Sequence, residues 1–316
     1  AVDLKSGKTL DIRGGVDNGQ TAAFTAGSDY LMITGTLSRN LAIYDARAWP
    51  PTHLKSYRVS GANGKPWSVT ANPDGKRAYV VMEGPRGTNC TIDVIWAVPV
   101  PGLLGTPYPG GNISLGNVGD ALNLVFDAAG DKGYLAVLGL ISGGGRVELF
   151  DTRPGSATYH RKLKTFPFPG KYVWGVDGSP DGSRVYAIVA GLGTQSTIAV
   201  IDTNTDKPID FDPKEPGVQN IGGQMVVPRT AIEKQVTFIK AGPRGRYLYL
   251  SNFHSVSRLN VDPTDPNHLQ ILTNKSPQLQ RKFTYGIAVT DAGDRIYVTQ
   301  HSGTKVVEFD TATIDR

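Results

Sequence analysis

The chain has a single cysteine, Cys90, in 316 residues. No internal disulfide and no cluster of metal-binding thiolates is therefore available, so burial and strand pairing must hold the fold. No apolar run approaches the roughly 18 residues that a membrane-spanning helix requires. There is no basic block either. The 33 Lys and Arg and 28 Asp and Glu, a net charge of +5, are spread along the whole length. That distribution excludes the concentrated positive footprint of a nucleic-acid binder. Also missing are a Gly-x-Ser-x-Gly nucleophile turn, a P-loop and a dinucleotide fingerprint, and with them the chemistries they support.

Glycine and proline are plentiful instead, at 38 and 21 residues, while apolar residues make up only 39%. That mixture suits many short strands joined by many turns. The chain opens "AVDLKSGKTL", without an initiator Met or an apolar leader. A mature chain has this form after a signal peptide is cut behind a small residue, so the expected location is secreted or periplasmic.

One turn-plus-strand segment recurs. "SPDGSRVYAIV" from Ser179 is repeated as "NPDGKRAYVV" from Asn72, "AAGDKGYLAV" from Ala128, "GPRGRYLYLS" from Gly242 and "DAGDRIYVTQ" from Asp291. A shortened copy, "AGSDYLMI", starts at Ala26. Each copy places a tyrosine at the same step: Tyr30, Tyr79, Tyr134, Tyr186, Tyr249 and Tyr297. The spacings are 49, 55, 52, 63 and 48 residues, a period that marks a repeat architecture.

An apolar strand precedes every turn, as in "PWSVTA", "ALNLVF" and "VTFIKA", and a second apolar run ending near Asp follows, as in "VELFDT" and "IAVIDT". A polar, less regular strand such as "RKLKTF" completes the unit. Three strong strands and one weak edge strand make a four-stranded blade, and blades in a ring make a β-propeller. The expectation is an all-β chain folded as one propeller domain over residues 1–316, with six blades and seven as the alternative. The tyrosines are expected to pack between blades. The last copy stops after its third strand, and "KTLDIRG" near the N-terminus is expected to supply the fourth and close the ring.

"SPDGSRVYAIV…IAVIDTNTDKPI", "NPDGKRAYVV" and "GDRIYVTQHSGTKVVEFDTAT" resemble the YVTN-type β-propeller repeat of secreted and periplasmic bacterial proteins. The resemblance covers nearly the whole chain. It implies the fold and leaves the function open, because such propellers include enzymes, binding modules and non-catalytic subunits.

Propeller ligands usually bind where the innermost strands begin and where the second and third strands are joined. Aligned on the tyrosines, Lys171, Lys234 and Lys282 are equivalent, just before their innermost strands. Arg281 adjoins Lys282, and Lys65 stands next to the matching Gly64. Three residues further on, Trp67, Trp174 and Tyr285 are equivalent, with Tyr172 beside Lys171. Cations over an aromatic layer suit a small anionic, partly aromatic ligand. His254 and His301 occupy second-to-third-strand loops, and Glu83 aligns with His301. This trio suits acid–base work or a divalent cation. Asp120, a further candidate ligand contact, lies with Asp17, Asn18 and Asn123 in segments comparable to those that hold a channel calcium in some six-bladed hydrolases and lactonases.

Two functions stand side by side at this point. One is a lyase, lactonase or cyclase acting on an anionic substrate. The other is a non-catalytic platform or partner subunit of a redox or cell-envelope complex, meeting a protein partner through Gly84 to Cys90 and Pro99 to Gly111, loops rich in Gly and Pro.

Overall fold

The computed structural model describes residues 17, 19–25, 27, 29–59, 65–83, 90–98, 102–116, 120–140, 144–191, 196–209, 224–225, 236–252, 255–268, 270–274, 284–300 and 306–315. They form a six-bladed, all-β propeller of antiparallel sheets. The first blade holds β1 (Gly19–Phe24), β2 (Tyr30–Gly35), β3 (Asn40–Asp45) and β4 (Thr52–Arg58). The second holds β5 (Lys65–Ala71), β6 (Arg77–Glu83), β7 (Cys90–Trp96) and β8 (Pro107–Gly116). The third holds β9 (Ala121–Phe126), β10 (Lys132–Val137), β11 (Gly144–Asp151) and β12 (Lys162–Pro169).

The fourth holds β13 (Tyr172–Gly178), β14 (Arg184–Ala190), β15 (Thr197–Asp202) and β16 (Lys207–Ile209). It gains a short extra strand, β17 (Gln224–Met225), which pairs with β15 beyond the end of β16. The fifth holds β18 (Val236–Ala241), β19 (Tyr247–Asn252), β20 (Val256–Asn260) and β21 (Ile271–Asn274). The sixth has three strands among the described residues: β22 (Thr284–Val289), β23 (Arg295–Gln300) and β24 (Val306–Asp310). A 3-10 turn at Thr311–Asp315 follows them. The closing strand expected of "KTLDIRG" lies outside the described residues. No helix among those residues is long and apolar enough to cross a membrane.

The chain forms these elements for the reasons the repeat implies. Gly75, Gly130, Gly182, Gly245 and Gly293 all take positive φ, between 67° and 72°, in the turn between the first two strands of their blades. L side chains resist that conformation, so glycine recurs there. Middle strands such as β14 are buried along nearly their whole length, which explains apolar runs without alternation. Outer strands such as β4 and β12 keep most residues exposed.

By contacts the chain divides into two compact units. The first comprises Ala1–Leu124, Ala129–Leu135 and Phe150–Leu163, and the second Val125–Ala128, Ala136–Leu149 and Lys164–Arg316. Within the first unit the core lies between the first two blades, where Met32, Leu41 and Ile43 meet Val80, Met82 and Ile95. Within the second, Ile188, Ile198 and Val200 meet Leu248, Leu250 and Leu259, and Val256 meets Ile296 and Val298. Five repeat tyrosines are buried, while Tyr297 is only half-buried. Cys90, the single cysteine, is fully buried.

Candidate functional site

The innermost strands share an irregularity that their sequences do not announce. Each of β5, β13, β18 and β22 carries a β-bulge at the second or third residue, and the extra residue is Trp67, Trp174, Thr237 or Tyr285. The equivalence of Trp67, Trp174 and Tyr285 is therefore structural. A bulge breaks the ladder and re-aims the side chain that it releases.

Backbone groups freed by a bulge need new partners. At Trp67 the first blade supplies them. The carbonyl of Trp67 accepts from the hydroxyls of Thr34 at 3.3 Å and Thr21 at 3.5 Å, and the Val69 amide donates to Thr21 at 3.0 Å. In β22 the Gly286 amide, next to the bulge, donates to the Thr299 hydroxyl at 2.8 Å.

Around these bulges, Lys65 opens β5, is exposed, and is the register partner of Glu83 at the end of β6. Lys171 is half-buried just before β13, and burial holds its ammonium below the usual lysine value. Tyr172 meets Trp174 edge-on at 6.5 Å, and Trp174 packs against the core between the fourth and fifth blades. Lys234, Arg281, Lys282, His254, His301 and Asn18 lie outside the described residues, as do the side chains of Glu83 and Tyr285. Asp120 and Asn123 are half-buried at β9, whereas Asp17 is exposed, its amide donating to Ser38. Among the described residues no three His, Cys, Asp or Glu come close enough to hold a metal.

A second constellation was not anticipated. Arg77, 1% exposed, sits at the start of β6 and reaches into the turn after β11. Its guanidinium donates to Asp74 at 2.6 Å, to the Tyr79 hydroxyl at 2.9 Å, to the Tyr159 hydroxyl at 3.4 Å and to the Thr152 carbonyl. The rings of Tyr79, Tyr108 and Tyr159 stand 5.8–5.9 Å from it. His160, at φ 61°, stacks on Tyr159 at 3.7 Å.

The proton positions follow from the partners. The His160 Nδ1 faces the Gly110 carbonyl at 2.9 Å, so Nδ1 carries the proton. Nε2 then accepts from the Tyr79 hydroxyl at 3.3 Å, whose oxygen accepts from Arg77. With the imidazole neutral, Nε2 is the acceptor that the Tyr79 hydroxyl proton meets. The sequence held one sign of this cluster: a cation stands two residues before the repeat tyrosine at Arg77, Lys132, Arg184 and Arg295.

Burial, joined by the Arg77 charge and opposed by the Gly110 bond, depresses the His160 pKa below 6.5. A depressed histidine leaves the unfolded chain binding more protons, so stability is complete above about pH 6.5 and declines below it. The decline ends where the native imidazole itself titrates. Urea midpoints between about pH 7.5 and 4 should show this slope, and His160→Gln should flatten it relative to a His53→Gln control. An identical slope in both variants would refute the assignment.

No family model matches this chain, and no curated protein matches it. Solved structures do. Hydrazine synthase of Kuenenia stuttgartiensis is similar with a TM-score of 0.73 at 17% identity, over 98% of this chain and 88% of that one. The β-propeller domain of Cps50 (Swd1) from Myceliophteria thermophila gives 0.66 at 12%, over 96% and 85%. The periplasmic gluconolactonase of Pseudomonas aeruginosa gives 0.59 at 16%, over 82% and 71%. At these identities the likeness establishes the fold, a β-propeller, and nothing finer.

Proposed function

We propose that the chain binds a small anionic, partly aromatic ligand where the innermost strands of its second unit begin. In this reading Lys171, Lys234, Lys282 and Arg281 hold the anion, with Tyr172, Trp174 and Tyr285 as the aromatic layer. Lys65 and Trp67 are the matching pair in the first unit. The supporting observation is the bulge that recurs at Trp174 and Tyr285, three residues after a lysine in each case. A half-buried ammonium such as Lys171 regains favourable electrostatics when a carboxylate comes beside it.

His254 and His301 are assigned acid–base roles in a lyase-, lactonase- or cyclase-type reaction on that ligand. The YVTN-type resemblance of the repeats adds the expectation of a secreted or periplasmic protein. Titration with 4-hydroxybenzoate at low salt is expected to quench tryptophan fluorescence. Lys171→Ala should weaken that binding about ten-fold, the loss of one charge-assisted bond. Equal affinity in the variant would remove the anion-binding reading. Assay of aromatic lactones and hydroxy acids with the wild type, His254→Ala and His301→Ala tests the reaction. Binding without turnover in the wild type would instead leave a non-catalytic platform.

A further inference from the structure

The tight turns of the fourth and fifth blades enclose a pocket of about 410 Å³ in the second unit. Its lining includes Ser179, Asp181, Tyr186, Arg244, Gly245 and Val261. Between the second and third blades the matching space is filled. There the Asn72 carboxamide donates to the Gly130 carbonyl at 2.9 Å, and the Thr152 hydroxyl donates to the same oxygen at 2.8 Å. Thr203 likewise donates to Gly182 at 2.7 Å, and Thr311 to Gly293 at 3.1 Å.

At Gly245 both donors are gone. Ser179 is the counterpart of Asn72, seven residues before its repeat tyrosine. Val261 is the counterpart of Thr152, its amide donating to Arg246 as the Thr152 amide does to Asp131. The Ser179 hydroxyl turns back to Asp181 at 2.5 Å, and valine has no hydroxyl. A Cβ on Gly130 would meet Asn72 at 2.1 Å, whereas one on Gly245 would find nothing nearer than Pro180 at 3.8 Å. The Gly245 carbonyl accepts no hydrogen bond among the described residues. The guest that completes it carries an N–H donor.

The charges of the pocket say more about that guest. Asp181 and Asp262 are held below the usual carboxylate value, foremost by the Ser179 and Thr264 hydroxyls that donate to them, so a cationic donor is favoured. Arg246 is taken by Asp265, and Arg184 is engaged with Tyr186. Arg244, exposed at the lip, makes no hydrogen bond or ion pair among the described residues and is left for an anionic group. Buried Tyr186 and Val261 give the floor an apolar surface. A pocket of this volume holds a small molecule.

We propose that this pocket binds an apolar α-amino acid as its zwitterion. The ammonium sits on the Gly245 carbonyl beside Asp181, where a longer side chain would stand in the Asn72 arrangement. The carboxylate sits on the Arg244 fork, and the side chain lies over Tyr186 and Val261. Calorimetric titrations are run in Lys171→Ala protein, which silences the anion site proposed above. L-phenylalanine should show one binding event there. 3-Phenylpropionate and 2-phenylethylamine each lack one of its charged groups and should bind at least about ten-fold more weakly. Ser179→Asn puts back the carboxamide that donates at Asn72, and should raise the melting temperature while weakening phenylalanine at least about ten-fold. Arg244→Ala, at an exposed position, should weaken it as much without changing the melting temperature. No phenylalanine binding, equal binding of the three ligands, or unchanged affinity in both variants overturns the proposal. So does phenylalanine binding that is present in the wild type and lost in Lys171→Ala, which would belong to the lysine site.

Discussion

Replacing Arg77 with Met is expected to destabilise the protein by about 3 kcal/mol, the lower end for breaking a buried ion pair by removing one partner. The substitution takes four bonds at once from Asp74, Tyr79, Tyr159 and Thr152. It leaves a buried carbonyl and two buried or half-buried hydroxyls facing an apolar chain, each costing part of its desolvation. Asp74 is 21% exposed, so water recovers some of the loss. Urea unfolding should show a lower midpoint with an unchanged slope. Arg77→Lys should recover little, because an ammonium cannot reach that spread of acceptors in one plane. A midpoint shift of less than about 0.5 kcal/mol, the size of an ordinary surface substitution, would mean that the guanidinium does not join the second and third blades.

Gly182→Ala is expected to cost about 4 kcal/mol. Two effects combine there. The residue has φ +67°, where an L side chain loses about 1 kcal/mol. An added Cβ would also stand 2.1 Å from the Ala128 amide nitrogen and 2.5 Å from its Cα, atoms of a backbone that cannot rotate away. The blade must therefore shift, which strains well-packed neighbours. Gly155 isolates the first effect, having φ +79° with nothing within 4 Å of an added Cβ. Gly155→Ala should lose only about 1 kcal/mol, and equal losses at the two positions would show that the close approach is relieved cheaply.

Much of the fold was legible because it is local. A turn glycine, an apolar run and a tyrosine at a constant offset are set by the backbone's own preferences and by burial on both strand faces. Their recurrence six times made blade number readable even though no blade could be seen alone. The equivalence of Trp67, Trp174 and Tyr285 was readable for the same reason, since repeat register fixes which residues occupy matching positions. The bulges at these positions were not, because a bulge depends on how neighbouring strands satisfy its freed groups. Thr21 and Thr34, which do so for Trp67, come from another blade.

Gln224–Met225 was invisible as a strand for a related reason. Two residues carry no periodicity, and only the exposed edge of β15 makes them one.

By itself, then, the sequence determined the repeat, the strand order within each blade, the glycine turns and the burial of five of the six repeat tyrosines, because each follows from interactions within a few dozen residues. The tertiary structure alone decided which cations are buried and which face solvent. Arg77 and Arg184 sit in near-identical segments, "PDGKRAY" and "PDGSRVY". One is sealed in a tyrosine box and the other lines an open pocket. The difference comes from the turn that each meets in the following blade, where Tyr159 lies 82 residues from Arg77. Desolvation of a charge is set by whatever fills the space around it, and that filling is supplied from across the fold.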